Sequence, residues 1–540
     1  MPLVPFRDLG TRGIIKDLPP TDLPLEAYTG GCNVRFANGY SMRAPSWRTP
    51  NTDLAFTPQG AFRYTPPNGP DITFVPTNVG RVWQRNSGSV LSDVSVSGHV
   101  NNTANTQFTG SSLGGVAYLN RETHAPMYFG PGSSLFAPIP GWTSTHRCEV
   151  FRTFKDFLVA FNVNKNGSLF PSMVKWSDTA LAGAPPTSWD HTDPTKLAGE
   201  TILAELKGGI VDALVLRDAM FVYGSGEVWI MEFVGGQFIF RFRRVFDDGG
   251  IINRNCALEV AGKHFVFGND DIYVHDGVQR QSIAEGRIRD YVFRNINLST
   301  LNRCFVAHNV VSKEIMFCYV SGDGQVEPGF TGGNGCNRAV VYCYANDTWG
   351  ITDLPNVVGP MSLAPSAQAV TYSTASATYE TFGGSYQESA GSSRLLPIAT
   401  IQNLGTTIVG HRLSLLDNVE VASLSSYPLD MPLFRPAYLE KEHIDLDNMG
   451  AKLTMFKTVN SVVPQMNMPG SNPVQFQFGA NDLHGKSPSW DDPITYDPDL
   501  DYQIDTRVSG RYLAFRVSVS TPNDFTISGF DADIKSNGNR

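Results

Sequence analysis

The chain has 540 residues, of which 41% are apolar and 11% aromatic, so it has enough apolar material for more than one packed core. Its 51 glycines and 35 prolines fit a turn-rich, all-β chain better than a helical one. Its net charge of −9 argues against a dedicated nucleic-acid-binding protein. Only 17% of the residues are charged, against about 25% in ordinary soluble proteins, which indicates that partners cover part of the surface.

Residues 1–50 are rich in Pro and Gly and show no periodicity. Pro19, Pro20 and Pro24 favour extended backbone, so we expect an extended arm that lies on another surface, or a contribution of this segment to a β-rich platform domain. Met1 to Arg7 does not have the pattern of a signal peptide, and no apolar run approaches the ~18 residues of a membrane helix. We therefore expect synthesis in a cytoplasm and no membrane insertion by this chain.

Residues 51–429 contain short apolar runs separated by Gly, Asp and Asn turns, which predicts a series of β-hairpins. Three units with four candidate strands each begin at Ile210, Ala257 and Phe305, 47 and 48 residues apart. Four strands in about 40 to 50 residues is typical of a β-propeller blade. Within the first unit, Phe238, Phe240 and Phe242 alternate with Ile239, Arg241 and Arg243, which predicts one apolar strand face.

Weaker units flank these three. They begin upstream at Phe62, Val116 and Glu149, and downstream they include Ala369–Tyr372, Tyr379–Phe382 and Arg412–Leu415. The sequence therefore predicts an all-β fold with a β-propeller of six or seven blades, six being favoured. Loops inserted at 178–207, 321–337 and 364–393 interrupt the pattern. An array of β-sandwiches is the alternative.

Residues 430–540 form a separate pattern, with strands separated by loops rich in Pro, Asp and Asn. The candidate strands are Lys452–Lys457, Val474–Phe478, Tyr512–Ser518 and Thr526–Ile534. This pattern predicts a small C-terminal β-sandwich-like domain.

Few residues combine into a recognisable chemical site. His264 and His275 flank adjacent strands and are close enough to meet, but two buried or exposed structural histidines are the simpler interpretation. Asp497, Asp499 and Asp501 alternate like calcium ligands, yet Tyr502 replaces the glycine that an EF-hand loop requires. Ser321–Gln325 resembles a single aspartate box without its Trp and is better explained as a turn. We therefore predict no catalytic, cofactor-binding or metal-binding residue.

A pair of glycosidase carboxylates remains open, because the spacing of carboxylates in space is not visible in a sequence. The acidic pairs Asp247–Asp248 and Asp270–Asp271 each lie beside turn-forming Gly or Asn, where Asp is favoured locally.

The seven cysteines show no CxxC spacing, and their number is odd. Cys318 and Cys343 lie in apolar strands, where a free thiol behaves as a small apolar group. We expect reduced structural thiols in place of disulfides or a zinc site.

A set of ordered segments resembles a known family. The segments are Asp17–Pro20, Leu23–Pro24, Gly31–Phe36, Asn38–Gly39, Trp176–Asp178, Trp189, Gly208–Asp212, Tyr223, Trp229–Met231, Phe246–Gly249, Gly268–Tyr273, Val341–Tyr342, Trp349, Gly510–Tyr512, Phe515–Arg516 and Gly529–Phe530. In this order they resemble the tail tubular or nozzle proteins of short-tailed bacteriophages (podoviruses), also called tail or DNA-stabilisation proteins. The resemblance covers most of the chain and fades in 364–430.

The resemblance implies a virion structural protein without catalytic residues, made in the bacterial host cytoplasm and located in the tail. Six copies would form a ring below the portal and adaptor, bind the tail adaptor protein, and carry tail fibres or tailspikes. The ring would enclose the channel through which double-stranded DNA leaves, without specific binding, and retain the genome by steric gating. The rival hypothesis is a propeller that binds or degrades host surface sugar.

Overall fold

The computed structural model describes residues 3–86, 90–236, 238–324, 335–365, 395–402, 411–417, 436–447, 455–467, 473–520, 525–536 and 538. The regular secondary structure of these residues is almost entirely β-strand, with one α-helix, α1 (Arg289–Asn295), and 3-10 turns at Pro20–Asp22 and Leu298–Arg303. No helix among them is long and apolar enough to cross a membrane.

The N-terminal segment contributes five strands. They are β1 (Val4–Phe6), β2 (Gly30–Cys32), β3 (Val34–Ala37), β4 (Tyr40–Arg43) and β5 (Ser46–Leu54).

Five four-stranded antiparallel sheets follow, and each pairs its strands in sequence order. Blade 1 consists of β6 (Phe62–Tyr64), β7 (Ile72–Pro76), β8 (Val82–Arg85) and β9 (Leu91–Asp93). Blade 2 consists of β10 (Thr109–Leu113), β11 (Val116–Asn120), β12 (Met127–Phe129) and β13 (Ala137–Pro138). Blade 3 consists of β14 (Arg147–Phe154), β15 (Phe157–Lys165), β16 (Ser168–Trp176) and β17 (Gly199–Ile202). Blade 4 consists of β18 (Ile210–Leu216), β19 (Ala219–Gly224), β20 (Val228–Phe233) and β21 (Phe240–Phe246). Blade 5 consists of β22 (Ala257–Val260), β23 (Lys263–Phe267), β24 (Ile272–His275) and β25 (Arg280–Ser282).

The remaining propeller strands form one seven-stranded sheet that is two blades joined by a shared strand. These strands are β26 (Phe305–Asn309), β27 (Glu314–Tyr319), β28 (Cys336–Cys343), β29 (Thr348–Pro365), β30 (Leu395–Ile401) and β31 (His411–Asp417), followed in the sheet by β5. The first part of β29 pairs with β28 as the outer strand of blade 6. Its last part pairs with β30 and begins blade 7, whose outer strand is β5 from the N-terminus.

The end of β29 occupies the position of an innermost strand. The Ala61 N–H donates to the Pro360 carbonyl at 2.9 Å, and the Arg63 N–H donates to Ser362 Oγ at 2.7 Å. A Cβ at Gly359 would overlap the ring of Phe305 on the inner strand of blade 6, so only glycine fits there. This segment thus lies between blades 6 and 1, and the described residues form seven blades, the higher of the two numbers that the sequence predicted.

Apolar clusters between successive blades hold the ring together. One contains Tyr64, Phe74 and Phe129 between blades 1 and 2, and another contains Trp229 between blades 3 and 4. Clusters of this kind also join blades 6 and 7 and close the ring from blade 7 to blade 1. Trp229 is only 7% exposed and is buried between these two sheets. This packing of one apolar blade face on the next defines an all-β propeller.

The second domain is a β-sandwich of two six-stranded sheets built from both ends of the chain. Its C-terminal strands are β32 (Ala437–Ile444), β33 (Lys457–Asn467), β34 (Val474–Asn481), β35 (Ser489–Trp490), β36 (Ile494–Tyr496), β37 (Ile504–Gly510), β38 (Tyr512–Val519) and β39 (Thr526–Ser536). One sheet has the order β3-β4-β39-β33-β37 with β1 on β39, and the other has the order β2-β32-β38-β34-β35 with β36 on β34.

Several sequence expectations need correction. Of the two roles expected for residues 1–50, the strands of this segment have the contribution to a second domain and not that of an arm, because β1 to β4 pair within the sandwich and β5 completes blade 7. The expected insertion at 178–207 contains β17, which is the outer strand of blade 3. Strand β33 begins at Lys457, where the sequence predicted a strand to end. The expected loop at 364–393 lies almost wholly outside the described residues, as do Ala369–Tyr372, Tyr379–Phe382 and most of 321–337.

The sandwich packs on the outer edge of blades 5 and 6. The Asp17 carboxylate accepts the Asp290 and Tyr291 N–H groups, both at 3.0 Å, at the start of α1. The Gly13 backbone approaches that of Trp349, whose indole N–H donates to the Ile283 carbonyl at 3.0 Å. Trp349 is fully buried here, so this contact is part of one continuous core.

Candidate functional site

One face of the propeller carries a set of exposed apolar side chains. In an antiparallel blade, the turns that join strands 1–2 and 3–4 lie on the same side of the ring. Ten of the exposed large apolar residues of the described chain lie in these turns or at a strand end beside them. They are Val90, Leu135, Leu181, Leu197, Phe233, Val234, Phe238, Val278, Val310 and Val311. We call this set the apolar face.

The opposite side of the propeller differs. Among the described residues it exposes four large apolar side chains, Val100, Leu169, Ile202 and Leu298. The apolar face has contributions from blades 1 to 6, and its most exposed members are Val278 at 76%, Leu181 at 75% and Phe238 at 74%. Exposed apolar side chains concentrated on one side of a protein are typical of a surface that contacts a partner.

A cavity of about 290 Å³ lies on the propeller axis. Its wall comes from the inner strands of all seven blades, together with nearby positions on second strands. The lining residues are Ala61, Phe62, Arg63, Tyr64, Phe74, Gly110, Ser111, Ser112, Ala117, Tyr118, Leu119, Arg152, Leu214, Asn255, Ala257, Leu258, Val306, Pro360, Met361 and Ser362. This described lining contains two arginines and no carboxylate.

Both lining arginines are already paired. Arg63 Nη2 lies 2.7 Å from Asp71 Oδ2. Arg152 Nη2 lies 2.8 Å from both carboxylate oxygens of Asp212 and donates to Asn255 Oδ1 at 3.1 Å. The cavity wall is therefore close to electrically neutral.

The Asp212 carboxylate has no oxygen left for catalysis. Besides Arg152, it accepts the Ala213 N–H and the Asn255 N–H, both at 2.7 Å. Asn255 continues the network, because its Nδ2 donates to Gln107 Oε1 at 3.0 Å and to the Phe108 carbonyl at 2.9 Å. This network connects blades 2, 3 and 4 beside the axis and holds the ring together.

His264 and His275 do approach each other, as a directly opposed pair on β23 and β24. Each lies 2.7 Å from Tyr223 Oη, through His264 Nδ1 and His275 Nε2. His264 Nε2 lies 2.9 Å from the Val215 carbonyl, which only accepts, so this nitrogen carries the proton and Nδ1 accepts the Tyr223 O–H. Tyr223 Oη then accepts from His275 Nε2–H.

Both histidines are held neutral. Burial lowers the pKa of His264 to about 4 and that of His275 to about 3, the latter also through its neighbour His264. His275 Nδ1 is buried and has no hydrogen-bond partner. The pair is a structural network of the core, with no open position for a ligand.

The two acidic pairs meet at one arginine. Arg280 Nη1 lies 2.8 Å from Asp248 Oδ2, and Arg280 Nη2 lies 3.4 Å from Asp271 Oδ2. Burial raises the pKa of Asp271, and the Ser282 hydroxyl and Arg280 oppose this shift. Since an arginine holds both carboxylates, they are not placed as an acid and a nucleophile around a sugar.

The carboxylates of the remaining candidates accept hydrogen bonds from nearby groups of the chain. Asp497 Oδ1 accepts the Asp499 N–H at 3.0 Å, and Asp501 Oδ2 accepts the Asp497 N–H at 2.9 Å, as in local turns. Asp323 binds the Ser321 hydroxyl and accepts the Tyr291 O–H at 2.7 Å, while Gln325 lies outside the described residues. Across the described chain, no group of three or more His, Cys, Asp or Glu side chains is arranged to hold a metal.

All seven cysteine thiols are unpaired and buried. Burial raises the pKa of Cys32, Cys148, Cys256, Cys304 and Cys336, which disfavours the reactive thiolate.

Sequence reasoning missed the axial cavity and the Arg152–Asp212 pair. Asp212 was visible as the end of the segment Gly208–Asp212, but its partner lies 60 residues away. A charged residue within an otherwise apolar strand was the one signal that pointed to a buried ion pair.

No protein-family model and no curated protein matches the chain. Among solved structures the chain is similar to one described as YCF48 bound to D1 peptide, with 10% identity and a TM-score of 0.34. The match covers 71% of this chain and 100% of that one. At this distance the likeness carries no argument about function, and the propeller assignment comes from the strand order of the chain itself.

Proposed function

We propose that this chain is a virion structural protein, the nozzle of a short-tailed bacteriophage tail. In this role six copies form a ring below the portal and adaptor, anchor tail fibres, and enclose the channel for DNA. The order of the resembling segments along the chain motivates the proposal. The observation that carries it is the apolar face, because a subunit that works in a ring needs a surface to be covered.

The composition of the apolar face supports assembly. Nine of its ten members lie in turns, outside the core of their own chain, and the tenth, Phe233, ends β20 and packs partly on Phe157 and Phe240. Burying one large apolar side chain contributes about 1.5–3 kcal/mol, so a few of them at a contact contribute appreciably to association. The low proportion of charged residues, 17%, points the same way.

The rival catalytic function has less support. A glycosidase needs two carboxylates about 5–9.5 Å apart around its substrate. The described lining of the axial cavity provides none, and the nearest buried carboxylate, Asp212, is fully occupied by Arg152 and two backbone N–H groups. A structural role therefore fits the axis better than sugar hydrolysis.

Passage of DNA also fits the charge of the chain. Tight phosphate binding would slow a sliding duplex, since each Lys or Arg contact adds affinity. Six copies with a net charge of −9 each would carry about −54 in total, which favours weak contact. In this proposal the genome is retained by loops that narrow the channel, and not by binding to the DNA.

The test compares substitutions on the two propeller faces. Phe238→Ser with Val278→Ser removes two of the most exposed members of the apolar face, and Val100→Ser with Leu298→Ser is the matched control on the other side. All four side chains are 74–79% exposed, so each variant should fold and remain soluble.

The readout is incorporation of the chain into tails when the variant replaces the natural protein during infection. We expect the first variant to reduce the number of nozzle-bearing particles and the control to leave it unchanged. If both variants are incorporated equally, the apolar face does not support the nozzle role. If the natural chain is absent from the particles, the nozzle role itself is refuted.

A further inference from the structure

Blade 4 has a long, open outer edge. Its outer strand β21 has seven residues, whereas the outer strands of blades 1, 2, 3 and 5 have two to four. It is the last strand of its sheet, so its outer backbone groups pair with no other strand of the described chain. Such an edge offers hydrogen-bonding groups to another chain, which is why native proteins usually keep edges short.

The charges at one end of β21 do not balance. Arg241 Nη2 lies 2.6 Å from Glu232 Oε2, and Arg243 Nη2 lies 3.3 Å from Glu232 Oε1. Two guanidinium groups thus share a single carboxylate, which leaves an excess of positive charge, while Arg244 has carboxylate partners of its own. The side chains of Arg241 and Arg243 are 64% and 53% exposed, so no part of the described chain covers them.

Exposed apolar side chains adjoin these arginines. Arg241 follows Phe240, whose partner across the hairpin is Phe233. Phe233 and its neighbours in the turn, Val234 and Phe238, belong to the apolar face and are 47%, 49% and 74% exposed. The hairpin therefore presents a surface that is both basic and apolar. We call it the blade 4 corner, and it consists of Phe233, Val234, Phe238, Arg241 and Arg243.

The sandwich carries a segment of opposite charge. Residues 491–505 contain six aspartates and no lysine, arginine or histidine, so they hold −6 of the net charge of −9. Leu500 and Tyr502 in the same stretch are 83% and 77% exposed. We call residues 491–505 the acidic segment. Its acidic and apolar side chains complement those of the blade 4 corner.

The acidic segment lies at the edge of the sandwich that is farthest from its own propeller. The opposite edge, formed by β2 and β3, contacts blade 6, where the Asn33 N–H donates to the Ile351 carbonyl at 2.8 Å. The segment follows β35, contains β36 and ends in β37, which are the far strands of the two sheets. Four strand spacings of ~4.8 Å, or roughly 19 Å, separate β2 from β35. The segment is therefore open to another molecule.

We propose that the acidic segment of one copy of this chain docks on the blade 4 corner of a second copy. The aspartates face Arg241 and Arg243, and Leu500 and Tyr502 cover the apolar side chains of the corner. A second copy is the occupant because both complementary surfaces are uncovered on the same chain.

The two surfaces differ, so each copy uses one of them for each neighbour. Contacts of this head-to-tail kind close into rings or grow into open filaments. The proposal rests on the proposed nozzle role, for which it names one contact between the subunits of the ring.

The test is sedimentation velocity of the purified full chain over a range of concentrations, at about 0.1 M and about 1 M salt. We expect self-association that grows with concentration and weakens at the higher salt, because the screening length falls from about 10 Å to about 3 Å. A chain that stays monomeric at its highest soluble concentration in the lower salt would overturn the proposal.

Two variants block one surface each. Arg241→Glu with Arg243→Glu reverses the charge of the blade 4 corner, and Asp492→Arg with Asp499→Arg removes much of the charge of the acidic segment. All four side chains belong to exposed residues, so both variants should keep the natural denaturation midpoint. Each variant alone should self-associate at least about tenfold more weakly than the natural chain.

A mixture of the two variants gives the sharpest result. The first variant keeps the natural acidic segment and the second keeps the natural corner, so one contact is able to form between them and no further copy is able to add. We therefore expect a discrete dimer with one copy of each variant, and nothing larger.

Lys263→Glu with Lys313→Glu is the matched control for the first variant. Both lysines are exposed, in blades 5 and 6, and their reversal changes the net charge by the same amount. This control should self-associate like the natural chain. Full self-association in either blocked variant, an equal loss in the control, or no dimer in the mixture would each overturn the proposal. None of these outcomes decides whether the chain belongs to a tail, which incorporation into particles tests separately.

Discussion

Acid should destabilise this protein through the histidine pair of blade 5, which is hydrogen-bonded to Tyr223 of blade 4. In the folded chain His264 and His275 share Tyr223 Oη and stay neutral, with their pKa values lowered to about 4 and about 3. In the unfolded chain a histidine titrates near 6.5. The folded pKa values are the lower ones, so the stabilising contribution is fully present above about pH 6.5 and is lost as the pH falls below it.

The magnitude follows from the two protonation states. At about pH 5 an unfolded histidine is almost fully protonated, 1.5 pH units below its pKa, whereas neither folded histidine has taken up much proton. One pH unit corresponds to about 1.4 kcal/mol, and about pH 5 lies roughly 1.5 units below the pKa of the unfolded histidine. The unfolding free energy should therefore fall by roughly 2 kcal/mol per histidine between about pH 8 and about pH 5. For the pair, the loss of unfolding free energy is about 4 kcal/mol, and it is the same for any folded pKa values well below 5.

The assay is urea denaturation at the two pH values, followed by tryptophan fluorescence. His275→Gln keeps an N–H donor for Tyr223 and removes one titrating group, so its loss of stability between the two pH values should be smaller than that of the natural chain by about 2 kcal/mol. Phe221→Leu is the control, because its ring packs on both histidines at 5.7 and 5.1 Å but does not titrate. It should lower stability by the same amount at both pH values. An unchanged pH dependence in His275→Gln would refute the reasoning.

Other predictions follow from the core, the ion pair, the thiols and the net charge. Trp229→Ala should destabilise by roughly 3–5 kcal/mol, because it leaves a cavity between blades 3 and 4, and an unchanged denaturation midpoint would contradict this. Asp212→Asn should destabilise by about 3–5 kcal/mol in the same assay, because it leaves the guanidinium of Arg152 buried without its counter-charge. Alkylation followed by mass spectrometry should modify few cysteines in the native protein and all seven after unfolding without reductant, and a bridged pair would refute the reduced state. A duplex-DNA titration at about 0.15 M salt should give a Kd above about 10⁻⁶ M, and nanomolar affinity would instead indicate a DNA-gripping role.

Local patterns were enough to predict most blades. The three four-stranded units predicted to begin at Ile210, Ala257 and Phe305 do begin at those residues, as blades 4, 5 and 6. They were predictable because each strand pairs with its sequence neighbour. Phe238 was wrongly assigned to an apolar strand face. It lies in the turn between β20 and β21 and is 74% exposed, so period-2 alternation continued past the end of the strand and misled the prediction.

Long-range pairing was not predictable in this way. Blade 7 closes where Leu416 pairs with Trp47, and the sandwich closes where Phe6 pairs with Phe530. Neither contact leaves a local signature, since the partners lie hundreds of residues apart and each segment alone reads as an ordinary strand. The same limit hid the axial cavity, whose wall is assembled from short segments of all seven blades.

The most direct test of the central claim is a cryo-electron microscopy reconstruction of the tail of a particle that carries this chain. The account predicts rotationally related copies around the DNA channel, with the apolar face of each propeller covered by a neighbouring copy, the adaptor or a fibre. Copies located away from the channel, or a ring in which Phe238 and Val278 face solvent in every subunit, would contradict it.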